Sequence, residues 1–322
     1  MAAFLASILF PSLLAAVGAA FSSWLLLRAL IPLLRRCMLD QPTARSSHKQ
    51  PTPRGGGLVV VLIALLTSAL AARQLGFTGL IAVPFIALPL ALVGLLDDRY
   101  NLPAGWRYRV QLLTAVLLLA PLGLPLLAWP LLLLAVTAVI NFTNFMDGLD
   151  GLVAGCMAVA LSAAALQLAA PWPLWALVGA LLGFLIWNWT PAKVFMGDVG
   201  STFLGAVFAG VVLQAHSWTE ALGLLLVATP LLGDACFCVP RRLLAGQPIW
   251  KAHRLHLFQR LHQAGWSHGR VSGLYVAATM LLALALLLAG WRAVLPIALL
   301  ELLLGVWLDR RVALPFAVAS RT

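Results

Sequence analysis

Long apolar runs broken by short polar stretches dominate the chain, and they approach or reach the roughly 17 to 25 residues a helix needs to cross a bilayer. They fall near 4–27, 57–73, 79–96, 108–124, 125–142, 151–169, 173–189, 201–216, 220–238, 272–289 and 291–308. The pattern predicts an all-α, polytopic membrane bundle of about eleven helices, the fourth and fifth separated only by the turn from Pro121 to Pro125. The first run has no cation ahead of it and continues to Pro32 before Arg35 and Arg36. It therefore reads as an uncleaved anchor, although Val17-Gly18-Ala19 resembles a cleavage site.

Composition supports this class. With 62% hydrophobic residues, 10% charged residues and a mean hydropathy of +1.00, a soluble globular domain is excluded. Eleven crossings put 19 of the 21 Lys and Arg residues on one side, leaving only Arg73 and Arg292 opposite. By the positive-inside rule that side is cytoplasmic, with the N-terminus outside and the C-terminus inside. The net charge of +11 then needs no nucleic-acid partner and suits membrane lipid headgroups or a nucleotide. Cys37, Cys156, Cys236 and Cys238 show no metal or redox spacing and imply only a reduced or membrane-embedded setting.

The acids change the picture most. Six of ten fall in four short clusters at the ends of apolar runs: Asp97-Asp98, Asp147 with Asp150, Asp198, and Asp234. A carboxylate at the centre of a membrane helix costs about 2.5 to 3.5 kcal/mol on insertion scales, so such acids usually have a task. All four clusters fall on the basic side under the same helix count, which predicts one cytoplasmic active face rather than a path across the membrane. A transporter would place acids mid-helix and repeat one half in the other. Only Glu301 lies well inside a predicted helix, and the chain has no internal repeat.

Each cluster has its own chemistry. Asp97 and Asp98 repel one another, so a divalent cation or a metal-bound phosphate is a natural neutraliser, with surface pairing to Arg99 as the plain alternative. In Asn141-Phe-Thr-Asn144-Phe-Met-Asp147-Gly148-Leu-Asp150-Gly151, polar groups recur every third residue, and the glycines allow a break where backbone approaches a ligand. Lys193-Val-Phe195-Met-Gly197-Asp198-Val-Gly200-Ser201 is a glycine-rich turn that can offer N–H groups to phosphate while one carboxylate holds Mg2+. The Gly55-Gly56-Gly57 run after His48, Lys49 and Arg54 suggests a weaker phosphate contact. In the loop near 239–271, His253, His256 and Arg260 share the basic face of a short amphipathic helix, read as an anion-binding lid. A zinc pair is the rival reading, and no Cys or further acid joins the two histidines in this loop. Asp234, one to two turns before Arg241-Arg242, reads as a structural charge near a helix end.

Together Asp97-Asp98, Asn141-x-x-Asn144-x-x-Asp147-Gly-x-Asp150-Gly-Leu, Phe195-Met-Gly-Asp198-x-Gly-Ser and His253-x-x-His256 resemble, in order, the signature loops of the polyprenyl-phosphate N-acetylhexosamine-1-phosphate transferases. The resemblance runs from about Asp40 to Arg270, most of the chain. It implies a single transmembrane transferase domain in the bacterial inner membrane, with catalytic cytoplasmic loops near 31–56, 97–107, 141–151, 190–200 and 239–271. The implied reaction moves an N-acetylamino-sugar-1-phosphate from a UDP-sugar to undecaprenyl phosphate, releases UMP and needs Mg2+ or Mn2+. A homodimer is compatible with this class.

By position, the resemblance implies that Asn144 and Asp198 hold the metal and that Asp147 and Asp150 serve the nucleotide end, with Asn141 beside them. Phe195 would stack on uracil, and Asp97 and Asp98 would lie near the lipid phosphate. His253, Arg254 and His256 would contact the sugar-phosphate part, and Lys49 matches a loop lysine less securely. Asp97 is the family's usual base or nucleophile. A phosphate monoester with a second pKa near 6 is already largely dianionic at pH 7, so a metal or orienting role is at least as plausible for an aspartate. The His-x-x-His spacing resembles the branch that initiates O-antigen and enterobacterial antigen. The branch that transfers phospho-MurNAc-pentapeptide carries adjacent histidines instead.

Overall fold

The protein, seen in a computed structural model, is described over residues 2–42, 47–48, 50–77, 79–247 and 253–320, with side chains from Phe10 onward. Among these residues the helices are α1 (Ala2–Cys37), α2 (Gly57–Leu75), α3 (Val83–Tyr100), α4 (Ala104–Leu119), α5 (Trp129–Phe145), α6 (Leu152–Gln167) and α7 (Trp172–Asn188). There follow α8 (Asp198–Val212), α9 (Trp218–Val227), α10 (Thr229–Leu244), α11 (Leu257–Gln263), α12 (His268–Ala289), α13 (Trp291–Arg311) and α14 (Phe316–Ala319). One departure from all-α is a minimal antiparallel pair, β1 (Leu39–Asp40) with β2 (Thr52–Pro53).

Each predicted apolar run overlaps helix, although several extend past the helix ends. Six stretches are long and apolar enough to cross a membrane, and the bent pair α9 and α10 raises the number to seven. Large apolar side chains such as Leu14, Leu127, Leu131 and Leu288 stay exposed, as a lipid-facing surface requires.

The predicted single helix over 220–238 is corrected: α9 and α10 meet at 82°. Pro230 lacks an N–H and its ring would clash with the carbonyl four residues back, so it suits the first turn of α10 and favours a break just before it. Thr229 marks the break by donating its hydroxyl to the Leu226 carbonyl at 2.6 Å.

At the centre stands α8, whose residues from Val199 to Val212 are all buried. A helix that is apolar all round needs protein on every side, and glycines let neighbours come close. A Cβ on Gly57 of α2 would stand 2.5 Å from the Gly200 Cα, and one on Gly94 of α3 would stand 2.5 Å from the Asp198 carbonyl. On its third side, a Cβ on Gly205 would stand 2.8 Å from the Ile140 Cα of α5. The Gly55–Gly57 run, expected to meet phosphate, is instead consumed by packing. The Gly56 and Gly57 N–H groups donate to the Phe195 and Met196 carbonyls at 2.9 Å each.

Candidate active site

The N-terminus of α8 organises a polar end of the bundle. Asp98, from the last turn of α3, accepts the Asp198 N–H at 3.0 Å and the Val199 N–H at 3.2 Å, one on each carboxylate oxygen. These are helix N-terminal donors with no partner inside the helix, and the carboxylate also meets the positive end of the dipole. Gly197 makes the approach feasible: its φ is +75° and a Cβ there would stand 2.5 Å from Asp98 Oδ2.

Around this cap lies a cavity of about 230 Å³. Asp98, Asp147, Asp150, Phe195 and Asp198 line it together, so three sequence-distant clusters do converge. Its cationic and donor side comes from residues to which the sequence reading gave no individual role. Arg54 donates to Asp40 Oδ1 at 2.6 Å and stands 3.7 Å from Asp98 Oδ1. His268, at the start of α12, has Nδ1 3.0 Å from Asp150 Oδ1 and Nε2 3.2 Å from the Ser47 carbonyl. Asn188 accepts the Gly151 N–H and donates to the Val194 carbonyl, each at 3.0 Å, tying the two acidic loops to the end of α7. His268 and Asn188 each stand singly beside an apolar run, so only folding shows their neighbours.

Asp97 stands beside the cavity rather than on its lining. Its Oδ1 accepts the Leu102 N–H at 2.6 Å and its Oδ2 accepts from Arg107 Nη1 at 2.7 Å, while the same nitrogen lies 3.5 Å from Asp198 Oδ2. Arg107 thus bridges Asp97 and Asp198. Asn141 is engaged with Gln111 of α4 through both amide atoms, at 2.7 and 3.2 Å, away from the lining. Asn144 also stands outside the lining, and Lys49 lies outside the described residues.

His253, Arg254 and His256 line no part of this cavity. His256 is buried with Nδ1 3.4 Å from Asp234 Oδ1. Asp234 is a structural charge at a helix end, as expected, but its partners are not Arg241-Arg242. Its oxygens accept the Leu257 and Phe258 N–H groups at 2.8 and 3.0 Å, capping α11, and the Tyr275 hydroxyl at 2.7 Å. Arg241 pairs with Asp309 instead.

Burial and charge set the loop titrations. Burial, reinforced by the nearby Asp98 charge, pushes Asp147 up to about 7. Burial pushes Asp150 the same way, but His268 and the Ala192 N–H outweigh it and hold Asp150 below its ordinary value. Burial drives His253 down to about 3, with His256 and Arg242 adding to it. His256 is raised to about 9, because Asp234 and Cys238 outweigh its burial.

The model of glycosyl transferase family 4 matches residues 80–216, the stretch that carries the three converging clusters. A probable undecaprenyl-phosphate N-acetylglucosaminyl 1-phosphate transferase of Bacillus subtilis is 30% identical over 268 residues, 74% of each chain. The chain belongs to glycosyl transferase family 4. A decaprenyl-phosphate N-acetylglucosaminephosphotransferase of Mycobacterium leprae is 34% identical over 71% of each chain. A phospho-N-acetylmuramoyl-pentapeptide-transferase of a Synechococcus strain is 34% identical over 58% of this chain and 65% of its own.

For a family 4 chain the donor set of the cavity is informative. Asp147 and Asp198 present hard oxygen ligands, the chemistry that suits Mg2+, which keeps several waters and takes one or two carboxylates. Five carboxylates, from Asp40, Asp98, Asp147, Asp150 and Asp198, line one cavity with a single arginine, Arg54, so a divalent cation fits these residues.

Proposed function

We propose that the chain transfers an N-acetylamino-sugar-1-phosphate from a UDP-sugar to undecaprenyl phosphate, initiating an O-antigen-like surface polysaccharide, on the cytoplasmic face of the inner membrane. The observation that carries this reading is the convergence of Asp98, Asp147, Asp150 and Asp198 with Arg54, Phe195 and His268 around one cavity at the end of an apolar bundle. Its volume of about 230 Å³ suits the diphosphate part of the donor better than a whole nucleotide sugar. Phe195, packed edge-on against His48 at 4.9 Å, offers a ring face for uracil.

In this reaction an oxygen of the lipid phosphate attacks the sugar-bearing phosphorus. The bond from that phosphorus to the bridging oxygen breaks, and UMP leaves. The attacking monoester is largely dianionic at pH 7, so no base is required. Both Asp97 oxygens are occupied by Leu102 and Arg107, which supports a positioning role: Asp97 holds Arg107 toward Asp198. Phosphoryl transfer depends mainly on such positioning and charge neutralisation. Asp198 and Asp147 would hold Mg2+, which supplies electrostatic stabilisation of the diphosphate. Asp98 anchors α8, and thereby sets where Asp198 stands.

The test is to incubate purified protein with undecaprenyl phosphate, Mg2+ and a panel of labelled UDP-sugars, scoring UMP and lipid-linked product. UMP from an N-acetylhexosamine donor is expected, and product with UDP-MurNAc-pentapeptide alone would move the chain to the peptidoglycan branch. No UMP from any donor would sink the enzyme reading.

A further inference from the structure

Cys238 was set aside in the sequence because nothing near it has metal-ligand spacing. Folding changes its surroundings. The bend between α9 and α10 directs Cys238 against the segment before α11, and ligand atoms of Cys238, His253 and His256 all lie within 4.8 Å of one another. Cys238 and His256 are buried, and the two imidazoles stack at 4.9 Å. Neither ring nitrogen of His256 meets hydrogen-bond geometry, although both are buried. Apart from the ion-pair contact of Nδ1 with Asp234 at 3.4 Å, the ring makes no well-formed hydrogen bond, and a buried polar atom left unsatisfied costs about 1–3 kcal/mol.

The geometry points to a transition-metal site of the Zn2+ class built from Cys238, His253 and His256, separate from the carboxylate cavity. One thiolate with two imidazoles is a donor set for Zn2+ or Co2+ rather than for Mg2+. The surroundings also match such a site. Asp234 Oδ1 stands 3.4 Å from His256 Nδ1, placed to receive that N–H once Nε2 binds metal, as carboxylates commonly do behind a metal-bound histidine. Asp234 is itself fixed by the Leu257 and Phe258 N–H groups and the Tyr275 hydroxyl.

Tetrahedral bonds of about 2.0–2.3 Å put ligand atoms roughly 3.3–3.8 Å apart, so the cluster would close by about an ångström. His253 would give up its contact with the Leu255 N–H, at 3.2 Å, when Nδ1 becomes the ligand. The consequence is a staple between α10 and the start of α11, the short helix whose Gln259 lines the carboxylate cavity.

The full-length protein, purified without a polyhistidine tag and stripped with chelator, is titrated with Co2+ and then Zn2+. One equivalent of Co2+ is expected to give intense tetrahedral bands and a thiolate charge-transfer band in the near ultraviolet, both erased by Zn2+. The charge-transfer band should vanish in Cys238→Ser and persist in Cys37→Ser and Cys236→Ser. Absence of that band in the unaltered protein, or its survival in Cys238→Ser, would overturn the assignment. Should Cys238→Ser fail to fold, the unaltered protein decides: Zn2+ must raise its melting temperature and slow alkylation of Cys238 relative to Cys236. Equal alkylation with and without Zn2+ would also overturn it.

Discussion

Asp98 and Asp198 differ by role although they line the same cavity. Asp198→Asn keeps the backbone N–H that Asp98 accepts, so turnover should fall by more than about 100-fold while the melting temperature stays near that of the parent. Asp98→Ala removes the cap of α8 and should cost about 0.5–2 kcal/mol as well as activity. Thermal unfolding and UMP release, measured side by side, separate the two. Asp147 has a different signature. Its folded pKa, near 7, lies above the unfolded value, so its contribution to stability is complete below pH 4 and is lost as pH rises through 7. Apparent melting temperature should therefore decline between pH 5 and 8 less steeply in Asp147→Asn than in the parent; equal slopes would refute the assignment. At this scale the acids were legible, because a carboxylate stands out in an apolar chain. Arg107 and His268 were not, since a cation beside a membrane helix is ordinary until its partner is known.

Among the elements, the contact of α2 with α8 decides how the site is held. A Cβ on Gly57 would stand 2.5 Å from the Gly200 Cα, so Gly57→Ala must separate two helix N-termini that carry the loops around Phe195 and Asp198. Overpacking of this kind typically costs about 1–3 kcal/mol. Gly57→Ala should lower both the melting temperature and the turnover, whereas Gly105→Ala, where a Cβ meets nothing within 4 Å, should leave both unchanged. A stable, fully active Gly57→Ala protein would show that the approach is unimportant. The glycine-rich stretches were visible as sites of close approach, but their partner was misjudged. A glycine signals that something comes near without naming it, and here helix backbone takes the place that phosphate was expected to fill. Pro230 stands in the sequence at the kink, but hydropathy continues smoothly across it.

For the whole molecule, the topology expected from the sequence, eleven crossings with a cytoplasmic C-terminus, would put the end of α1 inside the cell. Cys37, exposed at that end, should resist a membrane-impermeant maleimide in intact spheroplasts and react in inverted vesicles, with Cys236 replaced by Ser; labelling in spheroplasts would reverse the orientation. The sequence by itself determined the solvent and the family. Apolar runs of spanning length demand helices, because backbone polar groups in lipid must be satisfied within each segment. The loop motifs are local strings that survive any packing. Only the tertiary structure decided which polar residues meet. Asp98 capping α8, Arg107 between Asp97 and Asp198, and Cys238 beside His253 and His256 all join residues from separate helices. Their proximity depends on helix crossings, bends and glycine contacts that periodicity along one chain does not encode.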